Sequence, residues 1–367
     1  MIVKTFQSML FAAVQKGASD IHFQVGASPL FRVNGELYYI KYHHLSAKDT
    51  RDIVDEILNQ SIIQAPASKS VAEIDVAYNL EGYGRFRANI YLQKASYNIV
   101  LRVIPVVIKS FLELGLPPVL EKISLLRRGL VLVVGATGNG KSTTVASMIQ
   151  YINCNRRCHI ITIEDPIEYV FENKKSVISQ REVGTDTESF TKATIAAMRQ
   201  DPNVIFVGEM RDKETVDTVL RAAETGHLVI STMHTIDSIS AIARLLSFFP
   251  ADQEANVRKR LSNSLVAVIA QRLMPRKDII GRIPTVEVIR VTEGIRDCIA
   301  DASKTNDIQL YVEKGRDMYG MQTFDQNILA LVKADKIDIE VAKQAANSPD
   351  DLVRSLMLEN NSDRQDS

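Results

Sequence analysis

The sequence predicts an α/β chain of two parts, a small α+β module followed by a larger and mostly parallel sheet. Three observations predict this fold class. The length of 367 residues exceeds what one compact core usually holds. After residue 118, short runs rich in β-branched residues alternate with helical stretches, which is typical of a parallel sheet covered on both faces. The first of these runs ends in a glycine-rich turn at residues 135–142.

The composition argues against several classes of protein. The 44 basic and 44 acidic residues cancel, so we expect no nucleic acid as a partner. The three cysteines form no framework spacing, which favours a reducing compartment. No apolar run approaches the roughly 18 residues of a membrane span, and the apolar stretch 9–14 is too short for a signal peptide. We therefore expect a cytoplasmic protein without direct membrane insertion, whose contact with a membrane goes through partners.

Residues 1–106 are predicted to form the α+β module. The first fourteen residues have apolar side chains at helical spacing, and a second amphipathic helix is predicted at 48–60. The apolar positions of the opening helix are Phe6, Met9, Leu10, Ala13 and Val14. Strand-like runs occupy residues 19–25, 29–33, 74–80, 85–93 and 97–104, with Asn34-Gly35 as a hairpin turn.

Residues 107–118 are predicted to be a linker, because prolines and a glycine break the periodicity between Pro105 and Pro118. A hinge there would let two domains rotate against each other. Residues 119–367 then form the second domain, with strand-like runs at 130–134, 160–163, 204–207 and 228–231. Its tail is helical, with Phe324, Ile328, Leu329 and Val332 as one apolar stripe, and the polar residues 359–367 are predicted to be disordered.

The turn at 135–142 reads Gly-Ala-Thr-Gly-Asn-Gly-Lys-Ser, which matches G-x-x-x-x-G-K-[ST] in full. A buried strand precedes it and a helix can follow, so the alternative of an ordinary strand–helix turn is weak. Inward-facing backbone N–H groups and the helix dipole favour phosphate at such a loop. Lys141 supplies a charge for the β and γ phosphates of ATP, and Ser142 a ligand for Mg²⁺. We predict nucleotide contacts from Gly135, Thr137, Gly138, Asn139, Gly140, Lys141, Ser142 and Thr143.

A second strand, at 203–207, is followed by Gly-Glu-Met-Arg-Asp at 208–212. It has the apolar run of a Walker B strand, but glycine occupies the position of the usual strand-end aspartate. Glu209 is the first carboxylate available beside the phosphates. We predict that Glu209 orients or deprotonates the attacking water, the alternative being a solvated charge after a strand.

Two more strand ends carry polar side chains. Glu164 and Asp165 lie in Ile163-Glu-Asp-Pro-Ile-Glu168, and His234 closes the strand at 228–231. Because strand carboxyl ends face the ligand crevice of an α/β sheet, Glu164 and Asp165 are candidate Mg²⁺ ligands and His234 a candidate γ-phosphate sensor or carboxylate partner. Taken alone, a polar turn before Pro166 and a structural histidine are the simpler interpretations.

In combination these motifs resemble the PilT-like retraction (twitching motility) ATPases of type IV pili, within the type II/IV secretion-ATPase superfamily. The shared segments run in order along nearly the whole chain, at 17–22, 135–142, 163–168, 208–212, 223–235 and 320–325. The resemblance implies a PAS-like first domain, a RecA-like second domain and a ring of six identical chains. It also implies a catalytic role for Glu209, with Glu164 in an acidic box and His234 in a histidine box.

The resemblance assigns two further residues and a partner. Arg87 and Arg102 occupy the places of two arginines that reach the nucleotide phosphates in related motors, and the alternative is two strand arginines that face solvent. The implied function is Mg²⁺-dependent ATP hydrolysis by a homohexamer that retracts the pilus. The implied partner is an inner-membrane platform protein (PilC-like), with which the ring associates peripherally.

Two departures from the family pattern leave alternatives open. Residues 136–139 read Ala-Thr-Gly-Asn where relatives have Pro-Thr-Gly-Ser, which leaves the backbone contacts intact. Residues 294–301 read Gly-Ile-Arg-Asp-Cys-Ile-Ala-Asp where retraction motors have Ala-Ile-Arg-Asn-Leu-Ile-Arg-Glu, which makes an accessory paralogue, working with another retraction ATPase, plausible. A pilus-assembly or secretion ATPase is a third possibility. The chain could also be a partner subunit that binds nucleotide without hydrolysing it. The presence of Lys141, Ser142 and Glu209 argues against this, because a non-hydrolysing subunit would not need them.

Overall fold

The computed structural model describes residues 2–33, 35–60, 73–80, 84–104 and 107–362. Their contacts group them into two compact units, one containing the described residues up to Val107 with Pro166–Val170, the other containing Ile108–Asp165 and the described residues from Phe171 onward. Among the described residues, no helix is both long enough and apolar enough to cross a membrane.

The first unit is a six-stranded antiparallel sheet with two helices, and its strand order is β3-β2-β1-β6-β5-β4. The helices are α1 (Ile2–Gln15) and α2 (Ala47–Gln60). The strands are β1 (Asp20–Phe23), β2 (Leu30–Val33), β3 (Glu36–Tyr39), β4 (Glu73–Leu80), β5 (Gly84–Gln93) and β6 (Ser96–Ile104). The predicted helices and strands of this part of the chain are confirmed. The hairpin of β2 and β3 pairs Val33 with Glu36, while Asn34 of the predicted turn lies outside the described residues.

The two faces of this sheet differ because strand side chains alternate in direction. Apolar residues of β5 and β6, such as Phe86 and Leu101, are fully buried in a core that includes Phe6 of α1 and Ile53 of α2. The ring of Phe6 packs edge-on to that of Phe23 at a centroid distance of 5.3 Å. Most alternate positions near the middle of the sheet carry polar side chains, among them Arg87, Asn89 and Arg102, which line the opposite face.

The second unit is a seven-stranded sheet with helices on both faces, and its order is β13-β12-β7-β11-β10-β8-β9. Its strands are β7 (Gly129–Val134), β8 (His159–Glu164), β9 (Val177–Glu182), β10 (Val204–Val207), β11 (Leu228–Met233), β12 (Leu265–Pro275) and β13 (Arg282–Arg290). The helices up to β12 are α3 (Phe111–Leu114), α4 (Val119–Ser124), α5 (Lys141–Asn155), α6 (Phe190–Ala197), α7 (Lys213–Glu224), α8 (Ser238–Ser247) and α9 (Glu254–Ser264). Those after β13 are α10 (Glu293–Ala300), α11 (Ile308–Lys314), α12 (Arg316–Tyr319), α13 (Phe324–Lys333), α14 (Ile339–Ala345) and α15 (Pro349–Ser362).

Strand β7 shows how the sheet is covered. Leu130 and Leu132 point into the core formed with α7 and α8, whereas Val131 and Val133 point into the core formed with α4 and α5. Every residue of β7 is buried. The strands are parallel except β13, which runs antiparallel to β12. The predicted parallel sheet is confirmed, as are its four predicted strands β7, β8, β10 and β11, and the structure adds β9, β12 and β13.

Two segments extend the regular structure beyond the sequence prediction. Within residues 107–118, Ser110 forms a capping box with Glu113 at the start of α3, and Phe111 is buried in the second unit. The prediction of disorder from residue 359 is wrong for 359–362, because α15 continues to Ser362. This helix is anchored by Leu352, which is buried in the core on the α7 side of the sheet. Residues 363–367 lie outside the described residues.

Candidate phosphate-binding site

The predicted site residues of the second unit follow neighbouring parallel strands. The loop 135–142 follows β7, Glu164 ends β8, Glu209 follows β10, and His234 follows β11. Parallel strands end at the same edge of a sheet, so these four features share one edge. The register supports this, because Val207 pairs with Ile163 and Met233 with Val134.

The loop 135–142 passes directly from buried strand β7 into helix α5. Gly140 is the N-cap of α5 with φ of 80°, a left-handed conformation that glycine adopts without strain. A Cβ at this position would lie 2.9 Å from Nε2 of Gln271, so a side chain would require the amide of Gln271 to shift. Because the cap has no side chain, no side-chain oxygen competes for the first N–H groups of α5. These groups and the helix dipole make this helix end suitable for an anion.

Lys141 is held within the loop. Its side chain is 8% exposed, and Nζ donates hydrogen bonds to the carbonyl oxygens of Gly135 at 2.8 Å and Ala136 at 3.2 Å. The loop backbone therefore fixes the position of a buried ammonium group. Phosphate oxygens are stronger partners for a cation than neutral carbonyls, so bound phosphate would draw this ammonium away from at least one of them.

His234 joins the loop to the end of strand β10. Its Nδ1 lies 3.5 Å from Nζ of Lys141 and 3.3 Å from Oγ1 of Thr137, and its Nε2 lies 3.4 Å from Oε2 of Glu209. An ammonium group can only donate, so Nδ1 has to accept and the proton belongs on Nε2. In that tautomer the imidazole donates toward the carboxylate of Glu209. The ring therefore bridges the ammonium of Lys141 and the carboxylate of Glu209.

Glu209 is paired at both carboxylate oxygens. Oε1 contacts the guanidinium of Arg211, Oε2 faces His234, and the side chain is 12% exposed. These contacts fix the carboxylate beside the loop 135–142. A carboxylate fixed beside a phosphate cradle can orient a water molecule and accept its proton.

Gly208 occupies the position of the usual strand-end aspartate, and its surroundings are tightly packed. A Cβ at this position would lie 3.2 Å from the carbonyl oxygen of Ile163 and 3.3 Å from the ring of Phe190. Strand β8 and helix α6 therefore pack closely here, and a side chain would require them to move by a few tenths of an ångström. The first carboxylate that can reach the edge is the next residue, Glu209.

Comparison with known proteins agrees with this geometry. The family model described as "Type II/IV secretion system protein" matches residues 1–356. The chain is 40% identical over 342 residues to a protein of Pseudomonas aeruginosa named "Type IV pilus retractation ATPase PilT", a match that spans 93% of this chain and 98% of that protein. The chain belongs to the type II/IV secretion ATPase family. It is an ATPase, and the resemblance to PilT-like retraction ATPases seen in its motifs is confirmed.

The chain is also similar to other secretion ATPases and to two solved structures. The P. aeruginosa protein named "Type IV pilus ATPase PilU" is 39% identical over 358 residues, or 98% of this chain and 93% of that one. A crystal structure of the pilus retraction motor PilT with bound ADP superposes with a TM-score of 0.84 at 42% identity, and covers 95% of this chain and 98% of its own. The Legionella pneumophila ATPase DotB superposes with a TM-score of 0.77 at 28% identity over 92% of this chain and 93% of its own.

The predicted magnesium ligands of this ATPase differ in their surroundings. Glu164 is 7% exposed, and its Oε1 accepts hydrogen bonds from Oγ1 of Thr162 at 2.6 Å and Nε2 of Gln180 at 3.2 Å. Asp165 is exposed and Ser142 is half-buried in the first turn of α5. Among the described residues, no group of three His, Cys, Asp or Glu side chains is placed to hold a metal. This donor set fits Mg²⁺ that is bound largely by phosphate oxygens and water, as Mg²⁺ usually is.

Arg87 and Arg102 of this secretion ATPase lie in the first unit. They are register partners on β5 and β6, and each is paired with a carboxylate. Nε of Arg102 lies 3.0 Å from Oδ1 of Asp20, and Nε of Arg87 lies 3.4 Å from Oδ1 of Asp75. With Asn89 and Val100 these four side chains line an open cavity of about 240 Å³ on the polar face of the sheet. Their contact with nucleotide stays a prediction.

Sequence reasoning missed Gln271 of β12 and the role of Thr144. Gln271 is 2% exposed and bonds both to the loop 135–142 and to Thr144 in the first turn of α5. The one signal in the sequence was a polar amide directly after the apolar run at 265–270. A buried amide requires hydrogen-bond partners, but the sequence does not identify them.

Proposed function

We propose that this ATPase hydrolyses ATP at the loop 135–142 in a Mg²⁺-dependent reaction. The observation that carries the proposal is the chain of contacts from Lys141 through His234 to Glu209 at one edge of the parallel sheet. It places a cation, an imidazole and a carboxylate beside the N-terminus of α5. Phosphoryl transfer needs positive charge at the phosphates and a group that orients the attacking water, and these residues supply both.

Each residue has a separate role in this proposal. The N–H groups of residues 138–143 bind the β and γ phosphates, and Lys141 moves from the loop carbonyls to the phosphate oxygens. Glu209 orients the water and accepts its proton, while His234 fixes the carboxylate. Ser142, with Glu164 and Asp165 acting through water, would hold Mg²⁺. When bound, Mg²⁺ neutralises charge on the phosphates.

We propose that Arg87 and Arg102 add positive charge at the nucleotide phosphates. This assignment rests on the family resemblance and on their pairing as neighbours on β5 and β6. Arginines of this kind accelerate phosphoryl transfer by roughly 10³–10⁵-fold in other systems. The carboxylates of Asp20 and Asp75 would have to release them before they contact phosphate.

We propose further that the working form is a ring of six chains that retracts a type IV pilus. The proposal includes a PAS-like domain at 1–106, a linker at 107–118, a RecA-like domain at 119–367 and a platform protein at the inner membrane as partner. It is supported by the likeness to the retraction ATPase PilT and to the structure described as a pilus retraction motor. Peripheral attachment to the membrane would then follow from that partner.

An accessory retraction ATPase is the second candidate. Identity to PilU is 39%, against 40% to PilT, so overall similarity does not separate them. On α10, Ile295 and Ile299 are buried and keep the pattern of retraction motors, whereas Asp297 and Ala300 depart from it and are exposed. Buried Cys298 also departs from the pattern, whereas exposed Arg296 keeps it, so the departures fall on both the buried and the exposed side of this helix.

The decisive measurement is phosphate release from ATP by the purified chain, with and without Mg²⁺, over a range of protein concentrations beside Lys141→Ala. Activity that rises more than proportionally with concentration and disappears in Lys141→Ala supports a catalytic ring. Absence of activity in a folded, ADP-binding chain favours the accessory role, and activity restored by a paralogous ATPase would establish it. Native mass measurement that finds only monomer with nucleotide contradicts the ring.

The direction of force is tested in cells. Deletion of a retraction motor leaves an excess of surface pili, whereas deletion of an assembly ATPase leaves bald cells. Bald cells would therefore overturn retraction without affecting the assignment of the ATP site.

A further inference from the structure

Gln271 forms two hydrogen bonds that connect strand β12 to the phosphate loop. Oγ1 of Thr144 donates to Oε1 of Gln271 at 2.6 Å, and Nε2 of Gln271 donates to the carbonyl oxygen of Asn139 at 2.7 Å. Both distances are at the short end of the range for neutral groups. One amide therefore holds the loop on one side and the first turn of α5 on the other.

The backbone of β12 also lies against the loop. A Cβ at Gly135 would be 2.5 Å from the carbonyl oxygen of Gln271, and the N–H of Leu273 donates to Oδ1 of Asn139 at 3.4 Å. The loop 135–142 is thus bonded to β12 through the backbone and the side chain of Asn139. Residues of one strand, separated from the loop by more than 130 positions, determine where the loop lies.

The position of Gln271 is unusual for an amide. Its neighbours Ile269 and Ala270 are fully buried, and Gln271 itself is 2% exposed. An amide in such surroundings destabilises the fold unless both its oxygen and its nitrogen are paired. Leucine would fill similar space without that requirement. The two bonds satisfy the amide, and each of them ends on a residue of the phosphate loop or of the helix that follows it.

We propose that Gln271 is a positioning residue for nucleotide binding, which fixes the phosphate loop relative to α5. The inference rests on the proposed phosphate site. A neutral amide suits this role because it accepts from Thr144 and donates to Asn139 at the same time. A carboxylate could accept from Thr144 but would repel the carbonyl oxygen of Asn139 and the phosphates beyond it. A small displacement of a phosphate-binding backbone weakens every contact that it makes.

The test uses the full chain and three variants. Gln271→Leu removes both bonds, Gln271→Glu removes the donor to Asn139, and Thr144→Val removes the bond to α5. Gln322→Leu is the matched control, since Nε2 of Gln322 also donates to a backbone carbonyl, that of Val286, at 2.7 Å in the same unit. The probes are ADP and ATP, and the readouts are equilibrium ADP affinity, the rise in melting temperature on adding ADP, and the KM and kcat for ATP.

We expect Gln271→Leu and Gln271→Glu to weaken ADP binding roughly tenfold or more, and Thr144→Val by several-fold, about the effect of one or two buried hydrogen bonds. KM should rise more than kcat falls. Gln322→Leu should lower the melting temperature without changing ADP affinity. Equal ADP affinity in wild type and all three variants would overturn the inference, as would an equal loss in Gln322→Leu. If Gln271→Leu does not fold, Gln271→Glu and Thr144→Val decide the question.

Lys141→Ala separates this inference from the proposed function. If Lys141→Ala abolishes hydrolysis while Gln271→Glu binds ADP normally, the phosphate site stands and the positioning role fails. If Lys141→Ala hydrolyses ATP at the wild-type rate, the proposed site itself is wrong.

Discussion

His234 and Glu209 face each other across the ends of β10 and β11, with Nε2 of the imidazole 3.4 Å from Oε2 of the carboxylate. The opposite nitrogen of the ring lies 3.5 Å from the ammonium of Lys141. The histidine therefore stands between the group that binds phosphate and the group proposed to act on water. Changes at any of the three should affect turnover, but in different ways.

Glu209→Gln should leave ATP binding nearly unchanged and reduce kcat roughly 10²–10⁴-fold, because an amide cannot accept the proton of the attacking water. Binding of a fluorescent ATP analogue and phosphate release measure the two effects separately. Glu172→Gln is the control, since the side chain of Glu172 is 84% exposed and forms a surface ion pair with Lys174. Hydrolysis by Glu209→Gln at more than a tenth of the wild-type rate would remove Glu209 from the catalytic role.

His234→Ala should lower kcat roughly 10–100-fold, and His234→Gln should recover part of that loss. Glutamine can accept from Lys141 or Thr137 through its oxygen and donate to Glu209 through its nitrogen, as the proposed tautomer does. The comparison of kcat in the two variants therefore tests the hydrogen-bond pattern. Equal losses in both would mean that the imidazole acts in some other way, for example by changing its charge.

The site residues that belong to short motifs at strand ends could be predicted from the sequence. The loop 135–142, Glu209 and His234 could be placed together because parallel strands end at one edge of a sheet. Gln271 could not, since its bond to Asn139 joins residues 132 positions apart and depends on the register of β12. The pairing of Asp20 with Arg102 likewise depends on a strand register, that of β1 with β6.

The fold was predictable to a similar extent. Amphipathic α1 and the β-branched runs of β7, β8, β10 and β11 have clear periodicity, but a continuous apolar run such as the start of β12 does not distinguish a strand from a buried helix. Arg272 adds to the difficulty, because it is charged and yet packs its guanidinium 4.0 Å from the ring centroid of Phe324. The end of the helical tail was misjudged because composition does not reveal that Leu352 anchors α15 in the core.

Arg87→Ala and Arg102→Ala should each slow hydrolysis at least tenfold while they change the free energy of unfolding by no more than about 1 kcal/mol. Stability changes little because the paired side chains are well exposed, 40% for Arg87 and 67% for Arg102. Arg32→Ala is the matched control, since Arg32 lies 3.9 Å from the same Asp20. Steady-state rates and chemical denaturation measure the two quantities. If all three variants retain the wild-type rate, Arg87 and Arg102 are surface arginines.

Glu287→Gln should stabilise the protein at pH 8 more than at pH 5. Burial raises the pKa of Glu287 above 4.5, and the nearby charge of Asp237 adds to this, although the N–H of Ser238 and the charge of Arg272 oppose it. The folded state therefore holds this proton more tightly than the unfolded state. Stability contributed by the protonated form is lost as the pH rises from the unfolded pKa through the folded pKa. Glutamine does not ionise, so the variant does not lose stability as the pH rises. Its amide oxygen can still accept from the N–H of Ser238, as Oε1 of Glu287 does at 3.0 Å.

The measurement is the difference in melting temperature between Glu287→Gln and wild type at the two pH values. The difference should be more positive at pH 8, because there the wild-type carboxyl has to ionise in a half-buried, poorly solvated position at the N-terminus of α8. Glu36→Gln is the control, since Glu36 is exposed on edge strand β3, and its effect should be small at both pH values. A difference that is the same at pH 5 and pH 8, or larger at pH 5, would mean that Glu287 is ionised without cost. Its contact with Ser238 would then stabilise the start of α8 as a charged cap rather than a neutral one.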